Sequence, residues 1–498
     1  MFVDNYLDKF LNQNYYLKLW LIVFFITLLI VLLVQLLFLP YVFPSWHGNE
    51  GLLSGSDSVA FHRTGVELAE NIIAEGWSAW ELRPNGWMPA GVAGALYALT
   101  WPKPWVLAPL NAAVHAATAL MVVKLLLVFI KDRKAALIAA IPFVFFPSSM
   151  LWYTQIHRDG YYILGMLLFI YGFLMIVNYG DKNKIISREG IGFISTFSGI
   201  VLIWLTRPHG VVIFQYMGII LFLLIGAFLL YLAIRQGIRW KNVILKLVLI
   251  SLLIMIIFPL TQTAGADKYS RDPGLGESKQ TLVNMLSGSF EENILWASAG
   301  ELTSSAFKVA EKKDLVIEEE EYPWVRTSWL PVSVDNQLYS MAVLRSVEYK
   351  EIYGETASGI DCDVSFHSAV DYIYYLPRAL QIAFLAPFPA DWFQEGTYES
   401  TTFFRRVSAF EMTFIYLMFI PLAYGIWIWR KKIELYVLLL FCTMMMLPIV
   451  YSVPNVGTIY RYRYGYLMLL VSLGVAALYK FLQKKWKNRK DAIGLNLD

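Results

Sequence analysis

The stretch from Leu19 to Leu39 runs for about 20 residues with almost no polar interruption. That is the length one helix needs to cross ~30 Å of hydrocarbon at ~1.5 Å rise per residue. Lys9 and Lys18 precede it, and Pro40, Pro44 and Trp46 follow it. The apolar core of a cleavable signal is shorter, ~7–15 residues. The run is therefore expected to be a retained first membrane helix with its amino end in the cytoplasm. Further runs of this kind cover roughly 105–130, 135–151, 160–178, 191–207, 211–234, 242–260, 411–429, 434–450 and 464–481. The expected fold class is an all-α polytopic membrane protein of about ten transmembrane helices.

Composition agrees. Apolar residues make up 57% of the 498 and charged residues 16%, against ~25% charged in soluble domains. This excludes a soluble domain, a disordered chain and a secreted disulfide scaffold. Forty-one basic residues against 38 acidic ones leave only +3, so no nucleic-acid partner is expected. Cys362 and Cys442 are too far apart in sequence to suggest a disulfide framework.

Basic residues in short loops set the orientation. Lys131, Arg133 and Lys134 form one cluster; Lys182, Lys184 and Arg188, then Arg235, Arg239 and Lys241, form the next two. Arg430, Lys431 and Lys432 form another, and the tail carries Lys484, Lys485, Lys487, Arg489 and Lys490. These clusters fall on every second loop. Both termini are then expected in the cytoplasm. Three regions follow: an N-terminal transmembrane module over 1–260 with a large first outer loop at 44–104, a mixed extracytoplasmic segment over 261–410, and C-terminal helices with a basic tail over 411–498. The apolar stretch at 86–101 is too short to span and is expected at the outer interface. The stretch at 372–390, interrupted by Pro377, Pro387 and Pro389, is expected to be broken and to lie flat on the outer surface. The run Glu318 to Glu321 reads as a solvated surface.

Charges at the ends of apolar spans carry the functional signal, because such groups are costly near hydrocarbon unless paired or facing a polar cavity. Four groups fall on the outer side. In "SGSDSVAFHRTG", Asp57 either caps a helix or serves as a general base, with His62 and Arg63 nearby. In "WYTQIHRDGYYILG", Arg158 and Asp159 either neutralise one another or supply a phosphate ligand and a second carboxylate, beside His157. In "WLTRPHGVV", Arg207 and His209 flank a tight turn, with phosphate binding and snorkelling to headgroups as the two readings. In "NVGTIYRYRYGYLM", Arg461 and Arg463 lie directly before the last span with Tyr460, against the positive-inside tendency, and suggest an anionic ligand. Arg345, Asp371 and Arg378 are weaker candidates for donor or acceptor contacts. Asp361 and Asp363 admit a divalent cation, and a plain turn explains the same pair. No other cofactor is suggested.

A ligand with its tail in the bilayer and its phosphate at the interface fits this layout. Arg158, Arg207, His209, Arg461 and Arg463 would hold the phosphate. Asp57, with His62 and Asp159, would serve the chemistry.

The pattern resembles the GT-C class of polytopic membrane glycosyltransferases. Asp57 within "SGSDSVAFHRTGVELA" matches the acidic residue of their first outer loop, "HRDG" at His157 to Gly160 their polar turn, and "IYRYRYGY" an Arg-Tyr element before the last helix. "YLPRALQIAFLAPFP", with Arg378, is also similar to bacterial envelope-polysaccharide membrane proteins. The resemblance implies a bacterial inner membrane, a polyprenyl-phosphate-linked sugar donor, a glycan or lipid-linked acceptor, membrane lipids as surroundings, and synthesis of a surface polysaccharide. A polymerase or ligase using diphosphate-linked oligosaccharides is the closest alternative. A lipid-linked glycan flippase is the alternative from another class; it predicts repeats, and the sequence shows none.

Overall fold

The computed structural model describes residues 14–177, 185–236, 240–262, 322–349, 358–396 and 399–493. The described chain is almost entirely helical. Helix α1 (Tyr15–Leu33) continues in wider π-type turns to Val42. A short hairpin, β1 (His47–Asn49) with β2 (Leu52–Leu53), leads into α2 (Asp57–Glu75) and α3 (Met88–Leu99). Then come α4 (Ala108–Phe129), α5 (Arg133–Phe145), α6 (Pro147–Thr154), α7 (Asp159–Val177), α8 (Ile185–Thr206), α9 (Pro208–Gln236) and α10 (Trp240–Gln262). The remaining helices are α11 (Val332–Val343), α12 (Ala369–Leu385), α13 (Glu399–Trp429), α14 (Ile433–Ser452) and α15 (Val456–Ile493).

Among the described residues, eight helices are long and apolar enough to cross a membrane, or nine if α5 and α6 form one bent span. The expected ten therefore becomes eight or nine. The difference lies in α5–α6, bent by 62°, and in α10, whose described apolar part, Val243–Ile256, is short. The bend has a local cause. Pro147 forces Phe146 into extended backbone and starts a new helix. Two side chains from other helices take up backbone groups near the break: His115 on α4 bonds the Val144 carbonyl, and the Glu411 carboxylate accepts from the Ser148 amide.

Other boundaries move as well. The eighth expected span begins at Glu399, not 411, so it holds Glu411 inside. The stretch expected to break at Pro377 is one helix, α12, with that proline inside it. One side of α12 buries Tyr372, Ala379 and Ile382 while Ile373 and Tyr374 are exposed. Within 86–101 the chain forms the short helix α3, 12 residues long. The acidic run Glu318 to Glu321 lies outside the described residues, as does most of 261–321.

α7 and α15 form the centre of the bundle. In α15, Leu467 to Val471 are buried on every side, the mark of a helix surrounded by others. α1 is peripheral, with Leu17, Leu21, Phe25 and Leu29 exposed on it. α7 and α8 approach closely through glycine: a Cβ on Gly172 would lie 2.3 Å from the Gly192 carbonyl oxygen, and one on Gly199 2.5 Å from that of Gly165. Small residues let membrane helices pack backbone to backbone. This pairing brings the start of α7 against the end of α8, where Asp159 and Arg207 lie.

Candidate functional site

The turn between α6 and α7 is the frame of the site. It is held from three directions. Gln35, turned inward from the π-type turns after α1, donates to the Thr154 carbonyl at 2.7 Å. Asn111 on α4 donates to those of Tyr153 and Gln155 at 3.2 and 3.0 Å. The Gln155 side chain accepts from the Leu53 amide at 2.8 Å, which ties the hairpin before α2 to the turn. Buried backbone groups need such partners, so these bonds fix both the turn and the position of Asp57 at the start of α2.

Four charged side chains from four separate segments meet there. Arg461 Nη2 lies 2.8 Å from Asp57 Oδ2, across 404 residues of sequence. Arg461 Nε lies 2.6 Å from Asp159 Oδ2. Arg207 Nη2 donates to Asp159 Oδ1 at 2.5 Å. The Arg207 guanidinium also stacks on the Tyr462 ring, 3.6 Å from its centroid. The chain of contacts is thus Asp57–Arg461–Asp159–Arg207. Asp159 and Arg207 are almost wholly buried, and Arg461 keeps a small exposed fraction. Asp159 spends both oxygens on arginines. Asp57 engages Arg461 through Oδ2, and among the described residues no hydrogen bond to Oδ1 is found.

Arg158 and His157 are buried in the same turn. Arg158 is in electrostatic contact with Asp57, Arg207, Arg461 and Tyr462. The sequence allowed Arg158 and Asp159 to neutralise one another; instead Asp159 pairs with the two distant arginines. His157 Nδ1 is 3.8 Å from Asp159 Oδ2, too far for a hydrogen bond. Burial, reinforced by Arg461, pushes the His157 pKa down to about 4 against the pull of the aspartates. Its ring is neutral at neutral pH.

Of the other expected site residues, several lie elsewhere. Asp57 does not cap α2; Ser56 stands at the cap position without a side-chain cap bond. His62 faces away from the cluster, with Nδ1 2.9 Å from the Tyr97 hydroxyl and Nε2 3.0 Å from Glu50, which also pairs with Lys103 at 2.8 Å. Burial lowers the His62 pKa, with Glu50 opposing. Arg63 is exposed on α2. Arg463 is not part of the arginine set. It donates to the carbonyls of Ile382 and Ala383 on α12 at 2.6 and 2.5 Å, and its Nη2 reaches Met412 Sδ at 3.7 Å. Both arginines were expected before the last span, but α15 starts at Val456 and contains them. At ~3.6 residues per turn, positions two apart point ~200° apart, so Arg461 and Arg463 serve opposite faces.

Arg345 is buried and donates to the carbonyls of Val364, Val450, Tyr451 and Asp361, so it staples these segments together. Asp371 accepts from the amides of His367 and Ser368 and forms the capping box of α12. Arg378 grips Asp361 with two bonds at 2.9 and 3.0 Å. Burial works to raise the Asp361 pKa, but Arg378 and Tyr375 outweigh it and hold it below the usual value. Asp363 is exposed, and no group of three His, Cys, Asp or Glu placed to hold a metal is found among the described residues. Tyr460 donates to Glu411, which also accepts from the Ser148 hydroxyl at 2.6 Å. This is a second buried polar group, one residue from Arg461. The side chain of His209 lies outside the described residues.

Two features escaped the sequence. In the sequence, Glu411 stands only at the edge of an apolar run. Tyr462 was one of several tyrosines, and nothing in its spacing marked it as the ring beneath Arg207. No family model, no curated protein and no solved structure matches this chain.

Proposed function

We propose that the Asp57–Arg461–Asp159–Arg207 cluster is the reaction centre of a membrane glycosyltransferase that uses a polyprenyl-phosphate-linked sugar donor on the extracytoplasmic face. One observation carries the reading: Arg461 joins carboxylates from the first loop and from the α6–α7 turn, so charges costly near hydrocarbon share a single centre. Arginine offers a planar donor fork that fits phosphate oxygens. Arg207, Arg461 and Arg158 would hold the lipid phosphate and offset the charge that grows on it as the sugar departs. Asp159, with both oxygens engaged, positions Arg207 and Arg461 and does not act as a base.

Asp57 is the group suited to proton abstraction, since Oδ2 is held in place by Arg461 while Oδ1 has no hydrogen-bond partner among the described residues. It would take the proton of an acceptor hydroxyl as that oxygen attacks the anomeric carbon. The carbon–oxygen bond to phosphate breaks, and its electron pair leaves with the lipid phosphate. The product is a glycosidic bond on a glycan or lipid-linked acceptor, in synthesis of cell-surface polysaccharide.

Asp57→Asn keeps the side chain's shape and removes the base. With purified protein in proteoliposomes and a lipid-linked sugar donor, its product formation is expected to fall by about 100-fold or more, the usual scale for a positioned base. Turnover equal to that of the native protein would overturn the assignment.

A further inference from the structure

Four tyrosines alternate through "YRYRYGY", Tyr460 to Tyr466, near the start of α15. Residues four apart share a helix face, so Tyr460 and Tyr464 lie on one side and Tyr462 and Tyr466 on another. The protein itself takes up three of the four hydroxyls. Tyr460 donates to Glu411, Tyr464 donates to the Phe143 carbonyl at 3.1 Å, and Tyr466 bonds the Tyr162 hydroxyl at 2.8 Å. Tyr462 differs. Among the described residues no hydrogen bond to its hydroxyl is found. It is also only half-buried, where Tyr464 and Tyr466 are buried.

Its neighbours are the charges of the reaction centre. The Arg207 guanidinium lies over its ring at 3.6 Å from the centroid, and that of Arg461 stands 6.0 Å from the same centroid. Arg158 and Asp159 are in electrostatic contact with it as well. The three arginines assigned to the lipid phosphate thus all border one phenol. The ring accounts for the stacking of Arg207, but phenylalanine would supply that platform with no polar atom to satisfy. The hydroxyl is the part that packing leaves unexplained. A phenol O–H is a neutral donor. Beside guanidiniums that hold an anion, it adds a fixed dipole where negative charge grows, without bringing a further charge to desolvate.

We propose that Tyr462 is a further catalytic residue, its hydroxyl donating a hydrogen bond to an oxygen of the lipid phosphate that Arg207 and Arg461 hold. The proton stays on Tyr462 throughout. The bond strengthens as the electron pair of the broken carbon–oxygen bond settles on the departing phosphate. The inference rests on the glycosyl-transfer reading of the cluster and adds an uncharged donor to its arginines.

The test uses full-length protein in detergent micelles, with farnesyl monophosphate as the probe and farnesol as the same chain without its phosphate. Affinity and melting temperature are measured for the native chain, Tyr462→Phe, Tyr466→Phe and Arg461→Gln. Tyr462→Phe keeps the ring under Arg207 and removes only the hydroxyl. It is expected to melt as the native chain does and to bind farnesyl monophosphate about tenfold more weakly, the scale of one hydrogen bond to a charged group. Its farnesol affinity should not change. Tyr466→Phe, which breaks the bond to Tyr162, is expected to show the reverse: a lower melting temperature and native affinity for the probe. Native probe affinity in Tyr462→Phe would reduce Tyr462 to a platform for Arg207. A melting loss as large as that of Tyr466→Phe would show that the protein consumes this hydroxyl too. Either result overturns the proposal, while a loss of affinity in Arg461→Gln would leave the phosphate site itself standing. If the native chain binds farnesyl monophosphate no better than farnesol, the parent reading falls and this inference with it.

Discussion

Asp159→Asn is the sharpest probe of how the cluster is held. The substitution preserves shape and removes one negative charge. It strips the charge from two short contacts, to Arg207 at 2.5 Å and to Arg461 at 2.6 Å, in a side chain with 4% exposure. Hydrogen bonds to charged groups contribute about 1.5–3 kcal/mol each. Removing one partner of a buried pair costs about 3–5 kcal/mol, because the other charge stays buried without its counterion. We expect Asp159→Asn to destabilise by about 3–5 kcal/mol. Asp57→Asn loses one contact only and is expected to cost about 1.5–3 kcal/mol. Reversible unfolding by denaturing detergent in mixed micelles measures both. Adding Arg207→Gln to Asp159→Asn removes one stranded guanidinium and should cost less than the sum of the single changes, as a double-mutant cycle reads directly. A loss below about 1 kcal/mol for Asp159→Asn, or full additivity of the pair, would refute the idea that these charges are mutually dependent.

Three further outcomes follow from particular contacts. His157 is held neutral, its pKa displaced from 6.5 to about 4 by burial and by Arg461. Between those values the unfolded chain binds the proton and the folded one does not. Stability is thus full above about pH 6.5 and declines by up to about 3 kcal/mol as pH falls toward 4. His157→Gln should flatten that part of the unfolding profile, and an unchanged slope would contradict it. Gly172→Leu should force α7 from α8 and lower both thermal stability and transfer activity; unchanged melting would show that the close approach is dispensable. Arg463→Met should lower stability without altering affinity for farnesyl monophosphate, because its partners are the α12 carbonyls; selective loss of lipid affinity would return it to the phosphate site.

Much of the site was legible because placing a charge at the end of an apolar run needs a reason. Asp57, Asp159, Arg207 and Arg461 each stood out on that ground alone, and the structure brings all four together. What failed was assignment by neighbourhood in sequence. Arg463 travelled with Arg461 because "YRYRY" read as a segment ahead of a helix; once that segment is helical, the two side chains part by more than half a turn. His62 was grouped with Asp57 at a five-residue spacing, and on α2 it turns to Glu50 and Tyr97 instead. Asp371 and Arg345 are polar residues consumed by the backbone, as a helix cap and as a staple between segments. Sequence does not separate such roles from ligand binding, because both place a charged group beside apolar residues. The helical spans were legible from length and hydropathy. The bend at Pro147 was not, since the groups that support it come from other helices, Glu411 from one far away in sequence and His115 from the preceding α4.

The central claim is that one phosphate-binding reaction centre lies where Asp57, Arg461, Asp159 and Arg207 meet. The most direct measurement is a cryo-electron microscopy map of the protein in nanodiscs with farnesyl diphosphate. The account expects phosphate density in contact with Arg461 and Arg207, and an Asp57 carboxylate that still faces the same cavity. Phosphate density at a separate surface, with the four side chains undisturbed and closed to the lipid, would contradict it.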